Sequence, residues 1–121
     1  MTDEDLNPLY DVIMAFDTRV QEEAADLSEL IGSARFRQIV GGPCLSMLVC
    51  SKLLWLRRNE PAVFRKARYF LHIQEFILAK LNLGIPTAYT LANRKALLDI
   101  KRQKWSAELA AAVGVGIRQL G

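Results

Sequence analysis

The sequence has one histidine, His72, and two cysteines, Cys44 and Cys50. The cysteines do not form a CxxC pair, and no second histidine is available to complete a ligand set. That excludes the common zinc and dithiol motifs; two thiols in or beside an apolar stretch read as buried core thiols. His72 lies in the apolar run Phe70–Ile73, with no carboxylate or nucleophile spaced to pair with it. It reads as a packed, hydrogen-bonded side chain rather than a catalytic base. No apolar run approaches the roughly 20 residues that span a bilayer. The opening MTDEDLNP is acidic, without the basic start and apolar run of an export signal. No membrane partner is therefore expected, and the expected compartment is the reducing cytoplasm. Glycine-rich phosphate cradles are also missing. Gly41-Gly42-Pro43 and Gly114-Val115-Gly116 lack the lysine and the strand–helix context that a P-loop requires. No cofactor and no metal are expected in this chain.

What is present suits one small domain. The 121 residues are 51% hydrophobic, too apolar for a disordered chain and long enough for a single core. The net charge of +3 is unevenly spread. Residues 1–31 carry nine acids and one base, Arg19, a net −8. Residues 32–121 carry four acids and fifteen bases, a net +11. Such asymmetry fits a basic partner-binding face, or an acidic first segment lying on the basic remainder of the same molecule. The second is favoured, because charges in one chain meet without an association cost.

Residues 2–7 are polar and expected to fray, and Pro8 suits a first helical turn. Leu9, Ile13, Phe16, Val20, Ala24, Leu27 and Ile31 recur at helical steps, while the run Val12–Phe16 also suits a buried strand. Helix is favoured for 9–16 and for 18–31, with Asp17 or Thr18 as the cap. Gly32–Pro43 reads as a loop with a basic, apolar patch. Leu45–Leu56 reads as a core helix, apolar almost all round. Pro61 starts a short helix packed by Phe64, Ala67 and Tyr69, with Arg65, Lys66 and Arg68 between them. That interleaving occurs in nucleic-acid binders, but a solvated face over buried aromatics is the commoner arrangement, and nucleic acid is not the expected partner. Ile73, Ile77 and Leu81 recur at helical steps on one face. Leu97-Leu98 suits a further short strand. Ser106 is a suitable N-cap for a helix over Ala107–Val113, which Gly114 and Gly116 end.

Two stretches carry a resemblance. Ser51-Lys52-Leu53-Leu54-Trp55-Leu56-Arg57-Arg58-Asn59-Glu60-Pro61 resembles the S-K-L-L-W-L-x-x-[NH]-E-P of the FGGY carbohydrate kinases, the family of glycerol kinase and xylulokinase. Ala88-Tyr89-Thr90-Leu91-Ala92-Asn93-Arg94-Lys95-Ala96-Leu97-Leu98-Asp99-Ile100, followed by Trp105-Ser106, resembles the family's D-Y-[ST]-x-A-S-[RG]-T-x-L-x-[DN]-I and W-[SD]. The resemblance covers residues 9–121 and maps to the interior of the family's first domain. It implies an α/β fold, a fragment of an actin-like, ribonuclease-H-like domain. In this chain that fragment is expected to be mostly α-helical with one to three short strands; Phe70–Ile73 resembles the family's short strand and Gln74–Leu83 its following helix.

The resemblance also implies a set of site positions. The family's V-I-L-W-x-D-x-R falls on residues 12–19, so Asp17 and Arg19 are the substrate-binding candidates. The same two residues are equally explained by capping and surface charge. The family's sugar-flanking Trp falls on Ala15 and its pocket Tyr near Met47. On this alignment the catalytic Asp falls on Ala88, leaving no catalytic residue. The resemblance does not extend to the phosphate-binding hairpin, the sugar-contacting turn or the second domain, which in the full-length family serve Mg-ATP and sugar. The expected function is thus a truncated or remnant carbohydrate kinase, inactive alone, with a sugar or polyol as the partner. The alternatives are a small helical module using a basic face (Arg57, Arg58, Arg65, Arg68, Lys95, Lys101, Arg102, Lys104), or one that forms a homo-oligomer over exposed apolar surface.

Overall fold

In the computed structural model, which describes residues 1–121, the chain forms seven α-helices, one two-stranded hairpin and a terminal 3-10 turn. Helix α3 (Val49–Asn59) is central, packing against α1 (Gln21–Ile31), α4 (Pro61–Lys66), α6 (Tyr89–Lys95) and α7 (Ala107–Val113). Its residues Cys50, Ser51, Lys52, Leu53, Leu54 and Leu56 are all buried, as an all-round apolar helix requires. The helix starts at Val49 rather than Leu45. The Leu45 carbonyl instead accepts from Leu48 N at 3.0 Å and from Ser51 Oγ at 3.1 Å, which folds the 45–48 turn back onto the first helical turn.

Helix α1 buries Ala24 and Leu27 one turn apart. Its N-cap is Val20 without a side-chain cap bond, so neither Asp17 nor Thr18 plays the expected part. The Asp17 carboxylate is turned to Arg19 instead, accepting from its backbone N at 3.1 Å and its Nε at 2.9 Å. The expected loop at 32–43 is mostly helix α2 (Ser33–Val40). Phe36, Ile39 and Val40 are spaced at helical steps and all bury, and Gly41, at φ 87°, closes the helix in the left-handed conformation. The acidic first segment meets the basic remainder at one point: Arg58 of α3 bonds Asp26 of α1 at 2.5 Å and lies 3.7 Å from Glu23.

The N-terminal expectations need correction. Residues 2–7 are tied down rather than frayed: Thr2 is buried, donates to Tyr69 O at 3.0 Å and accepts from Arg68 N at 2.8 Å. Pro8 bridges Thr2 and starts no helix. The stretch 9–16 is neither helix nor strand. Beyond Leu9 its backbone runs without a ladder partner, and the Met14 carbonyl is taken by Asp17 N at 3.2 Å and by Lys52 Nζ at 2.9 Å. A helix needs that carbonyl for the residue four positions on, and a strand needs a neighbour. Here it has neither. Val12, Met14 and Phe16 are left 68%, 50% and 80% exposed.

Phe70–Ile73 forms no strand. Phe70 N bonds Gln119 O at 2.7 Å, and the chain passes directly into α5 (Ile73–Lys80). Ile73, Ile77 and Leu81 share a face as their spacing requires, but that face is exposed. Tyr69 is only half-buried, whereas Phe64 and Phe70 stack in the core with ring centroids 5.0 Å apart. The hairpin pairs β1 (Leu98–Asp99) with β2 (Lys104–Trp105), antiparallel, one residue beyond the expected Leu97-Leu98 strand. Ser106 caps α7 as its position predicts, accepting from Leu109 N at 3.3 Å, and Gly114 ends that helix at φ 80°.

A buried ion pair ties these later elements together. Lys95 Nζ lies 2.9 Å from Glu75 Oε2, with both side chains out of contact with solvent. Glu75 also accepts from His72 N at 2.7 Å and from Thr87 Oγ1 at 2.5 Å. Lys95 also donates to the Leu120 carbonyl and sits 5.4 Å from the Trp105 ring centroid. Burial lowers the Lys95 ammonium from its ordinary value, and the Glu75 charge opposes that shift. This lysine cannot serve a basic outer face. Replacing Lys95 by Met should destabilise the chain by about 3–5 kcal/mol in urea melts, because Glu75 is left buried and unpaired. Adding Glu75→Leu should recover part of that loss. A double variant less stable than Lys95→Met alone would contradict the reading.

Candidate functional site

Between the extended stretch 8–15, the first turns of α3 and the segment leading into α5 lies a groove of about 360 Å³. Its walls are mostly apolar, with Ile13, Leu53, Phe70 and Phe76 among them, and three nitrogen-bearing side chains, Lys52, His72 and Arg94, reach it. Lys52 comes from the buried centre of α3 and crosses to the Met14 carbonyl, so the same side chain forms the groove and pins its outer wall. Burial lowers its pKa, with Asp17 opposing. His72 is the N-cap of α5, and its Nε2 lies 3.1 Å from the Leu91 carbonyl. A carbonyl only accepts, so Nε2 carries the proton and Nδ1 is the ring's acceptor.

The groove brings together some of the sequence-predicted positions and leaves others aside. Ala15 and Met47, the two positions that the resemblance assigns to sugar-pocket aromatics, both line it. A methyl and a flexible thioether therefore stand where two rings were expected. Asp17 and Arg19 are not among its lining residues. They pair with each other at 2.8 Å, and the Arg19 guanidinium lies 5.1 Å over the Trp55 ring. The Arg19 hydrogen bond lowers the Asp17 pKa, and the same bond raises that of Arg19. Ala88 is the exposed N-cap residue of α6 and also lies outside the groove.

Lys52 is both scaffold, through the Met14 carbonyl, and groove wall. Arg94 and His72 were not legible as groove residues, because the segments that carry them meet only in the fold. Glu75 had a faint local signal: an acid three residues after a helix-start position is the spacing of a capping box. Nothing local marked Lys95 as its partner.

With this geometry in place, the comparisons with known proteins fall into line. The chain belongs to the FGGY family of carbohydrate kinases, matching the family's N-terminal domain over residues 1–121. It is 27% identical over 118 residues to the xylulose kinase of Lactococcus lactis subsp. lactis (strain IL1403), covering 98% of this chain and 23% of that protein. It is 28% identical over 115 residues to the L-fuculokinase of Escherichia coli (strain K12), covering 95% of this chain and 24% of that one. The crystal structure of a xyloylose kinase from Brucella ovis superposes with a TM-score of 0.80 at 31% identity, covering 98% of this chain and 24% of that one. The chain thus spans about a quarter of the length of the proteins it matches. The expected fold holds: a mostly helical segment of a sugar-kinase domain, with one hairpin.

The position of His72 makes the fold sensitive to pH. Burial lowers its pKa, and the Lys95 and Lys52 charges act in the same direction, against Glu75 and the Leu91 carbonyl. The unfolded chain, with His near its ordinary value of about 6.5, therefore binds a proton where the folded chain does not. The neutral ring's contribution is fully present above that value and is lost as pH falls below it. Thermal melts should show a falling midpoint between about pH 7 and pH 5.5. His72→Gln should flatten that part of the profile. An unchanged slope in the variant would remove His72 as the cause. The carboxylates with lowered pKa values, Asp3, Asp17 and Glu108, act at more acid pH and do not confuse the window.

Proposed function

We propose that this chain is a sugar-facing segment of an FGGY-type carbohydrate kinase and does not transfer phosphate by itself. The family reaction is ATP-dependent phosphorylation of a sugar or polyol hydroxyl. The observation that carries the reading is the groove, because a family match over the whole chain coincides with a concave site holding Ala15 and Met47. Lys52 and Arg94 offer donors to hydroxyl oxygens there, and the apolar wall suits the carbon face of a sugar. The proposed inactivity rests on what phosphoryl transfer demands: held phosphates, a metal site and a group that orients the attacking hydroxyl. The matched region is about a quarter of a kinase.

The purified chain should form no sugar phosphate from Mg-ATP with any of a panel of ketoses, aldonates and polyols. One of those sugars should raise the melting temperature, and Mg-ATP should add nothing further. Ligand at 100 times its dissociation constant stabilises by about 2.7 kcal/mol, a shift easily resolved in a domain of this size. Sugar phosphate in the assay would overturn the inactivity, and a melt that no sugar moves would overturn the sugar-facing groove.

A second reading, self-association, is favoured by the apolar surface. Val12, Met14 and Phe16 project from an extended stretch whose backbone lacks a ladder partner, and Ile73, Ile77 and Leu81 are exposed along one face of α5. Long exposed apolar edges invite pairing with another copy. Sedimentation should show association that rises with concentration, and Phe16→Asp should weaken it. A monomer at high concentration would remove this reading.

A further inference from the structure

The two cysteines lie near one serine hydroxyl at the start of α3. Cys44 is half-buried on the turn before α3, and Cys50 is fully buried in the first turn of that helix. The Ser51 hydroxyl lies between them, 3.8 Å from Cys44 Sγ and 3.9 Å from Cys50 Sγ. Ser51 Oγ donates at 3.1 Å to the Leu45 carbonyl, so the turn bearing Cys44 is held against the helix bearing Cys50. Six positions apart in sequence, both sulfurs come within 4 Å of one hydroxyl oxygen because the 45–48 turn folds back.

We propose that Cys44 and Cys50 form a reversible disulfide-forming site, oxidised by low-molecular-weight disulfides such as oxidised glutathione. Cys44 is the attacking thiol and Cys50 the resolving one, an order that follows from their surroundings. Cys44 is only half-buried, while Cys50 is sealed in the core, so an oxidant from solvent meets Cys44 first. The neighbouring Cys50 thiol holds Cys44 below the ordinary thiol value, and the Cys44 neighbour together with burial pushes Cys50 well up.

In the first step the Cys44 thiolate attacks one sulfur of glutathione disulfide. A Cys44–glutathione bond forms, and one glutathione thiolate leaves. In the second, the Cys50 sulfur attacks Cys44 Sγ, the Cys44–glutathione bond breaks, and the Cys50 proton goes to the departing glutathione. Two protein thiols are oxidised and one glutathione disulfide is reduced to two thiols. The product ties the turn carrying Met47, at the groove, to the base of α3.

The test is intact-mass measurement with thiol counting on the full chain, across a series of oxidised-to-reduced glutathione ratios. The expected product is a monomer lighter by two hydrogen atoms, with both thiols lost and both restored by dithiothreitol. Cys50→Ser should stop at one glutathione adduct, on Cys44. Cys44→Ser should leave Cys50 reacting about tenfold or more slowly, since burial protects it. Wild-type chain that stops at a glutathione adduct, gives only intermolecular dimers, or keeps both thiols at strongly oxidising ratios would overturn the proposal. The wild-type measurement stands even where a variant fails to fold.

Discussion

The second half of the chain depends on one constraint: a carboxylate and an ammonium that have both left water. Glu75 and Lys95 come from different helices, and each carries further obligations. Glu75 must accept from His72 and Thr87; Lys95 must reach the Leu120 carbonyl. An uncompensated charge in a core costs several kcal/mol, so these contacts are satisfied together or the elements separate. Meeting them sets the start of α5, the path through Thr87, the end of α6 and the position of the last residues. The apolar cluster supplies cohesion, with Leu97, Leu109 and Leu120 fully buried, but apolar contacts are non-directional. The ion pair gives direction, because its geometry admits one relative placement of its two helices.

The first half is organised by α3 in a comparable way. Its apolar residues bury against α1, α4, α6 and α7, and one polar side chain, Lys52, escapes that core to hold the Met14 carbonyl. That reach, with Asp17 N, takes the carbonyl that a helix through 9–16 would need. It also makes the groove, since the pinned stretch is one wall and Lys52 part of the floor. The same helix start carries Cys50 and Ser51, against which the Cys44 turn is folded. Groove, pinned segment and thiol pair are therefore neighbours for one reason: each uses the first two turns of α3.

Several local signals were sound guides. Ser106 caps α7, Gly114 ends it, Pro61 opens α4, and the apolar run around Leu53 becomes the core helix. Even the missed helix α2 was written locally, in the helical spacing of Phe36, Ile39 and Val40. The segment 9–16 failed for a different reason. Its residues fit helix and strand alike, but the Met14 carbonyl is bound by a lysine 38 positions away and no strand lies beside the stretch. The candidate site divided along the same line. Ala15 and Met47 came to the groove, whereas Asp17 turned to Arg19, because an acid two residues before an arginine finds it without leaving its own turn.

What the sequence determined by itself is the family, the helical character, the core helix and the ends of the later elements. The family rests on the resemblance of two motif stretches, Ser51–Pro61 and Ala88–Ser106; the others rest on side-chain periodicity and capping, which act over one or two turns. Tertiary structure alone decided that Lys95 is buried rather than part of a basic face. It also decided that His72 and Arg94 reach a common groove and that Cys44 meets Cys50. Each of those outcomes needs two segments, distant or folded back, to arrive at one place. No pattern within a single segment encodes such a meeting, because it is selected by the burial of charge and apolar area over the whole chain.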